Sequence, residues 1–212
     1  MAESERIKYK KKPNSESSVK KILNPLVEKW FYSRFKEFSL PQLYGILEIH
    51  SRNNVLISAP TGATKTLTGF MAILNELVDS SVKEILEDKV YCVYVSPLKA
   101  LNNDIKLNLI EPLEQMEEIH GSKLGIRVSV RTGDTTTKER TNMLKNPPHI
   151  LITTPESLGI LLASPKFREH LRGVQWFIAD EIHALAENKR GVHLNLSMER
   201  LAYLSEHMAR VG

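Results

Sequence analysis

Apolar positions recur along this chain in two rhythms, and the rhythms sort it into elements. Ile22-Leu23, Leu26-Val27, Trp30-Phe31 and Phe35 return at helical spacing. A second helix is expected from about Pro41, a favoured first-turn residue, through Leu43, Ile46, Leu47 and His50. Five short runs rich in Val and Ile then read as buried strands: residues 55–59, 90–95, 126–131, 150–153 and 174–179. Between them lie helical stretches at 66–78, 98–120 (with Pro112 as a candidate break), 138–145 and 155–163. A closing helix over 192–208 carries Leu194, Met198, Leu201 and Leu204 on one face. Strands alternating with helices imply an α/β fold: a mostly parallel central sheet covered by helices on both faces. No internal repeat or linker divides residues 22–212, so they are expected to form one domain.

Composition narrows the class. Hydrophobic residues at 42% and charged residues at 25% suit a globular chain. No apolar run reaches the roughly 18 residues of a membrane span, and the N-terminus lacks a signal-peptide core. The single cysteine, Cys92, excludes an intrachain disulfide and a cysteine-rich zinc site. A cytoplasmic, intracellular chain without membrane or zinc is expected. The net charge of +4 sits in residues 1–21, where Arg6, Lys8, Lys10, Lys11, Lys12, Lys20 and Lys21 face only Glu3, Glu5 and Glu16. That segment reads as a disordered basic arm, with some non-specific attraction to phosphate backbones.

Candidate chemistry begins at Ala59-Pro60-Thr61-Gly62-Ala63-Thr64-Lys65-Thr66, between an expected strand and an expected helix. There, backbone N–H groups and a helix N-terminus can cradle phosphates, Lys65 can neutralise them, and Thr66 can reach Mg²⁺. Both glycines of the G-x-x-x-x-G-K-[ST] pattern are replaced, by Ala59 and Thr64. A β-branched side chain before the lysine threatens to crowd the phosphates. The alternative is an ordinary strand–turn–helix connection capped by Thr64. Downstream, the hydrophobic run Trp176-Phe177-Ile178-Ala179 delivers Asp180-Glu181-Ile182-His183. Asp180 can hold Mg²⁺, mostly through water, and Glu181 can deprotonate a water attacking the γ-phosphate of ATP.

Asp180-Glu181-Ile182-His183 resembles the Walker B box of superfamily-two DExH-box helicases, and residues 59–66 resemble their first motif. The run from Ser96 to Asp104, continued by Asn108-Leu109 and Glu111-Pro112-Leu113, is similar to the large helicase-related (Lhr) group in particular. Lys189-Arg190-Gly191-Val192 is similar to the same group. Arg131-Thr132-Gly133-Asp134 and Thr153-Thr154-Pro155-Glu156-Ser157 resemble two further helicase motifs in family order.

The resemblance implies a three-layer RecA-like P-loop fold and an ATP-dependent helicase motor. Its ATP site would comprise Phe35, Phe38, Gln42, Pro60, Thr61, Gly62, Ala63, Thr64, Lys65 and Thr66. Gln42 would read adenine, with Phe35 and Phe38 as stacking candidates. Lys65, Asp180 and Glu181 would be catalytic, with Thr66 and Asp180 holding Mg²⁺. Pro97, Leu98, Lys99, Asn102, Thr132, Gly133, Thr154, Pro155 and Glu156 would track one nucleic-acid strand through its backbone. His183 would couple the ATP site to a neighbouring domain.

By the family pattern the chain carries the first RecA-like domain and stops before the Ser-Ala-Thr motif, so the second domain is expected to be missing and unwinding by this chain alone is not expected. Single-stranded DNA is the expected track and a prokaryotic, nucleoid-associated setting the expected location. Two alternatives stay open: a non-catalytic binding module with a disabled phosphate loop, and an RNA helicase, since nothing here reads a 2′-hydroxyl.

Overall fold

The computed structural model of the chain describes residues 7–60, 64–97, 105–186, 189–205 and 207–212. Its centre is a five-stranded, all-parallel sheet of β1 (Cys92–Val95), β2 (Val128–Arg131), β3 (Ile150–Thr153), β4 (Trp176–Ala179) and β5 (Ala209–Val211), in the order β2-β3-β1-β4-β5. Period-two alternation sends successive side chains to opposite faces. Cys92, Tyr94, Ile150, Ile152, Trp176 and Ile178 join one apolar core, whereas Val93, Val95, Leu151, Phe177 and Ala179 join another.

The first core is closed by α1 (Glu16–Lys20), α2 (Pro25–Arg34), α3 (Leu40–His50), α4 (Lys65–Val82) and α5 (Glu111–His120). The second is closed by α6 (Thr137–Lys145), α7 (Pro155–Ala163), α8 (Pro165–Leu171) and α10 (Lys189–Leu204), with the short α9 (Ile182–Ala186) leaving β4. The result is the expected three-layer α/β architecture, because strands buried on both faces need helices on both. Among the described residues no helix is long and apolar enough to cross a membrane.

Three expectations are corrected and one strand is added. Residues 55–59 do not form a regular strand. Val55 makes an isolated parallel bridge to Val211, with Val55 N–H donating to Arg210 O at 2.8 Å and Ile57 N–H to Gly212 O at 2.7 Å. The partner of that bridge, β5, was not anticipated. Ala209-Arg210-Val211 is too short to carry a strand pattern, and only pairing with β4 and residues 55–57 makes it one.

Between Lys10 and Lys21 the arm is docked on the body and not a free tail. Ser15 caps α1, Val19 is fully buried, Asn14 N–H donates to Leu43 O at 3.1 Å, and the Lys10 ammonium meets Glu48 at 2.5 Å. Burial of Val19 in the core of α2–α5 and the contacts to α3 dock the segment, which the charge run alone does not show. Finally, Pro112 does not break its helix. A π-helical turn, Lys106–Ile110, changes hydrogen-bond register just before it, so proline's missing N–H falls in the first turn of α5.

Strand register sets up the functional edge. Arg131 pairs with Thr153, Thr153 with Val95, and Val95 with Ala179. The residues that follow this row, Thr132, Thr154, Ser96 and Asp180, therefore leave the sheet together at its C-terminal edge, where ligands of open parallel sheets bind.

Candidate functional site

Helix α4 starts at Lys65 under the N-cap Thr64, whose φ of +59° is left-handed. That conformation suits glycine, and a β-branched residue adopts it only under constraint. The Thr64 hydroxyl lies 2.6 Å from that of Ser39, and the Thr64 carbonyl accepts both the N–H and the hydroxyl of Thr68 at 2.9 Å. The start of α4 is thus tied to the turn that opens α3. Gly45 of α3 makes this approach possible: a Cβ there would stand 2.8 Å from both Ile57 and Thr68.

Across the edge, Asp180 continues the sheet ladder by donating its N–H to Val95 O at 2.9 Å. Its Oδ1 accepts the Glu181 N–H at 2.9 Å, and its Oδ2 accepts the Tyr94 hydroxyl. Glu181 is also left-handed, with φ +53°, and its Oε2 lies 3.1 Å from His183 Nε2. An open cleft of about 480 Å³ separates the two segments, and Pro60, Lys65, Thr66, Asp180, Glu181 and His183 all line it. The Lys65 ammonium, the Thr66 hydroxyl and the carboxylates of Asp180 and Glu181 form a donor set suited to a nucleotide phosphate with a hard cation. Among the described residues no three His, Cys, Asp or Glu side chains gather as a metal cage. A cation held here would lean on phosphate oxygens and water.

The Gln42 side chain is 1% exposed; its Oε1 accepts the Ser39 N–H at 2.8 Å, and its Nε2 has no hydrogen-bond partner among the described residues. A buried donor left so costs about 1–3 kcal/mol, which a ligand acceptor would recover. Phe38 departs from its expected role. It is 5% exposed and stacked on Phe31 at 4.2 Å, so it is a core residue without an open face for a base. Phe35 is half-buried against Trp30 and Phe31. Thr61, Gly62 and Ala63 lie outside the described residues, as do Leu98, Lys99 and Asn102.

The remaining turn residues gather as expected, although several have local duties. Pro97 follows buried Ser96 at the end of β1. Thr132 is buried, with its N–H donated to Thr135 Oγ1 at 2.9 Å and its carbonyl accepting from buried Arg131. Gly133 is exposed, its carbonyl accepting from Arg140 at 3.0 Å. Thr154 caps α7 by accepting the Ser157 N–H at 3.4 Å, and Pro155 is buried in the first turn. Glu156 stands beside Pro155 in that first turn, with its side chain engaged locally. Arg190 of α10 binds both its oxygens, at 2.6 and 3.3 Å, and holds its carboxyl below the usual carboxylate range. Ser39, Tyr94, Arg140 and Arg190 were not anticipated as site residues. Only Arg190 stood in a segment that had drawn notice.

Comparison with known proteins now decides the family. The family model described as DEAD/DEAH box helicase matches residues 39–211. This chain belongs to the DEAD/DEAH box helicase family. It is 53% identical over 209 residues to the ATP-dependent helicase Lhr-Core of Methanothermobacter thermautotrophicus, a match covering 97% of this chain and 24% of that protein. It is 38% identical to the Lhr helicase/uracil glycosylase of Escherichia coli, covering 94% of this chain and 14% of the relative. Among solved structures, that of Mycobacterium smegmatis helicase Lhr bound to ssDNA and AMP-PNP superposes with a TM-score of 0.78 at 40% identity, over 90% of this chain and 24% of that one. The chain thus spans about a quarter of the length of its Lhr-Core relatives. The RecA-like fold expected from the motifs is the fold observed.

Proposed function

We propose that this chain is the first RecA-like motor domain of an Lhr-type ATP-dependent helicase, binding Mg²⁺-ATP in the cleft and the backbone of a single nucleic-acid strand along the neighbouring turns. The observation that carries it is the cleft itself, which brings Lys65 and Thr66 at the start of α4 opposite Asp180 and Glu181 at the end of β4.

Lys65 neutralises phosphate charge and the N-terminus of α4 adds positive potential. Thr66 and Asp180 would hold a Mg²⁺ ion, mostly through water, and that ion would supply charge stabilisation for phosphoryl transfer. Glu181 orients and deprotonates the attacking water, with His183 beside it poised to sense a neighbouring domain. The free Nε2 of Gln42 reads the adenine ring, with half-buried Phe35 as the remaining aromatic candidate at its edge. Thr64 turns its hydroxyl to Ser39, which supports a phosphate loop that tolerates the residue and disfavours a disabled one.

A second RecA-like domain completes the site by supplying arginines, and without it turnover falls by about 10³–10⁵. The strand gripped by Pro97, Thr132, Gly133 and Thr154 is single-stranded DNA, RNA being the second candidate, and the setting is the cytoplasm beside the nucleoid. The test is ATP turnover stimulated by single-stranded DNA in the protein carrying both domains. Glu181→Gln should keep Mg²⁺-ATP binding and lose turnover by at least a hundredfold. Normal turnover would remove Glu181 from the role of base.

A further inference from the structure

We infer that Tyr94 is a positioning residue for Asp180: its hydroxyl fixes the plane of the carboxylate that takes the cation, so the cation-dependent part of nucleotide binding rests on a side chain in the middle of β1. The inference deepens the nucleotide reading of the cleft and rests on it. Strand phase brings the two residues together. Tyr94 pairs in register with Ile178, and Asp180 lies two residues further on, just past the end of β4 and in phase with the same face of the sheet. A side chain as long as tyrosine spans that diagonal, and its hydroxyl donates to Asp180 Oδ2.

The ring cannot swing away. It is 1% exposed and packed at 5.0 Å against Phe70 of α4, the helix that begins with Lys65 and Thr66. The other carboxylate oxygen, Oδ1, accepts the Glu181 N–H. Two donors on two different oxygens set both the tilt and the spin of the carboxylate, and each oxygen keeps further acceptor capacity for the cleft. Packing alone would be served as well by phenylalanine, since the ring belongs to the apolar core and the hydroxyl is bonded to Asp180. A positioned hydroxyl behind a cation ligand is the arrangement by which outer groups orient inner ones at metal sites.

The experiment is calorimetric titration of the chain and its Tyr94→Phe variant with ATP, once in Mg²⁺ and once in EDTA. The unsubstituted chain should bind Mg²⁺-ATP more tightly than free ATP. In Tyr94→Phe that preference should fall about tenfold, with affinity in EDTA within about twofold and an unchanged thermal midpoint. Combining Tyr94→Phe with Asp180→Asn should add nothing to the loss from Asp180→Asn alone, since the hydroxyl acts through that carboxylate. A purely structural tyrosine would move both affinities and the melting transition together, and that result, or an unchanged Mg²⁺ preference, overturns the inference. Lys65→Ala separates the two levels: if it retains full affinity the nucleotide reading itself fails and takes this inference with it. If it loses binding while Tyr94→Phe behaves as the unsubstituted chain, only the role of Tyr94 fails.

Discussion

The Thr64 hydroxyl lies 2.6 Å from the Ser39 hydroxyl, so the residue standing where phosphate loops carry glycine is bonded to the turn ahead of Gln42. The backbone of Thr64 keeps a glycine-like φ of +59°, and the side chain makes a hydrogen bond that glycine could not. Such a conformation costs about 1–3 kcal/mol in a non-glycine residue, and a typical hydrogen bond returns about 0.5–1.5 kcal/mol.

Thr64→Gly should therefore raise ATP affinity only a few-fold and leave stability within about 1–2 kcal/mol of the parent. Thr64→Val keeps the branched side chain and loses the bond, and should be destabilising by about 1 kcal/mol. Calorimetry and urea unfolding check both. A jump from undetectable to tight ATP binding in Thr64→Gly would mean that Thr64 blocks the loop.

His149 gives the chain an acid limit. It is 1% exposed, and its Nδ1 accepts the Arg127 N–H at 2.9 Å. Burial, and then the Arg127 charge, push its pKa down to about 4, against a smaller opposing pull from Asp88. Because the folded value lies below the unfolded one, the stability linked to neutral His149 is complete above pH ~6.5 and is lost as pH falls towards 4. The loss amounts to roughly 3 kcal/mol. His149→Asn, which keeps an acceptor for Arg127, should flatten unfolding free energy against pH between 6.5 and 4. An unchanged slope there would assign acid sensitivity to other groups.

The basic segment contributes to stability through one apolar residue. Val19 is fully buried in the core shared by α2–α5, whereas the side chain of Lys12 is exposed. Val19→Ala should cost about 1–3 kcal/mol in urea unfolding, and Lys12→Ala less than about 0.5 kcal/mol. Equal, negligible effects would mean that the segment is detached in solution.

β1, β3 and β4 were legible because they are continuous apolar runs flanked by polar turns, and the edge strand β2 because Val and Ile recur along residues 126–131. Residues 55–57 and β5 were harder, since residues 55–57 pair with β5 across more than 150 residues of chain and β5 itself is held between them and β4. Asp180, Glu181 and Lys65 were legible as chemistry because charged residues ending a strand or opening a helix have few other reasons to be there. The partners that orient them were not. Nothing in an apolar run distinguishes the oxygen of Tyr94 from a core ring, and the Glu156–Arg190 pair joins α7 to α10 across 34 positions. Phe38 failed in the opposite sense: an aromatic near a binding motif is as often core as ligand contact, and its stack on Phe31 decided the matter.

The central claim is that the cleft between α4 and β4 binds Mg²⁺-ATP through Lys65. It is tested most directly by titrating Mg²⁺-ATP into the chain and into Lys65→Ala by calorimetry. Saturable binding in the unsubstituted chain, weakened at least thirtyfold or about 2 kcal/mol in Lys65→Ala, is the result predicted. Equal affinity in the two chains, or no binding to the unsubstituted chain at millimolar ATP, would contradict it.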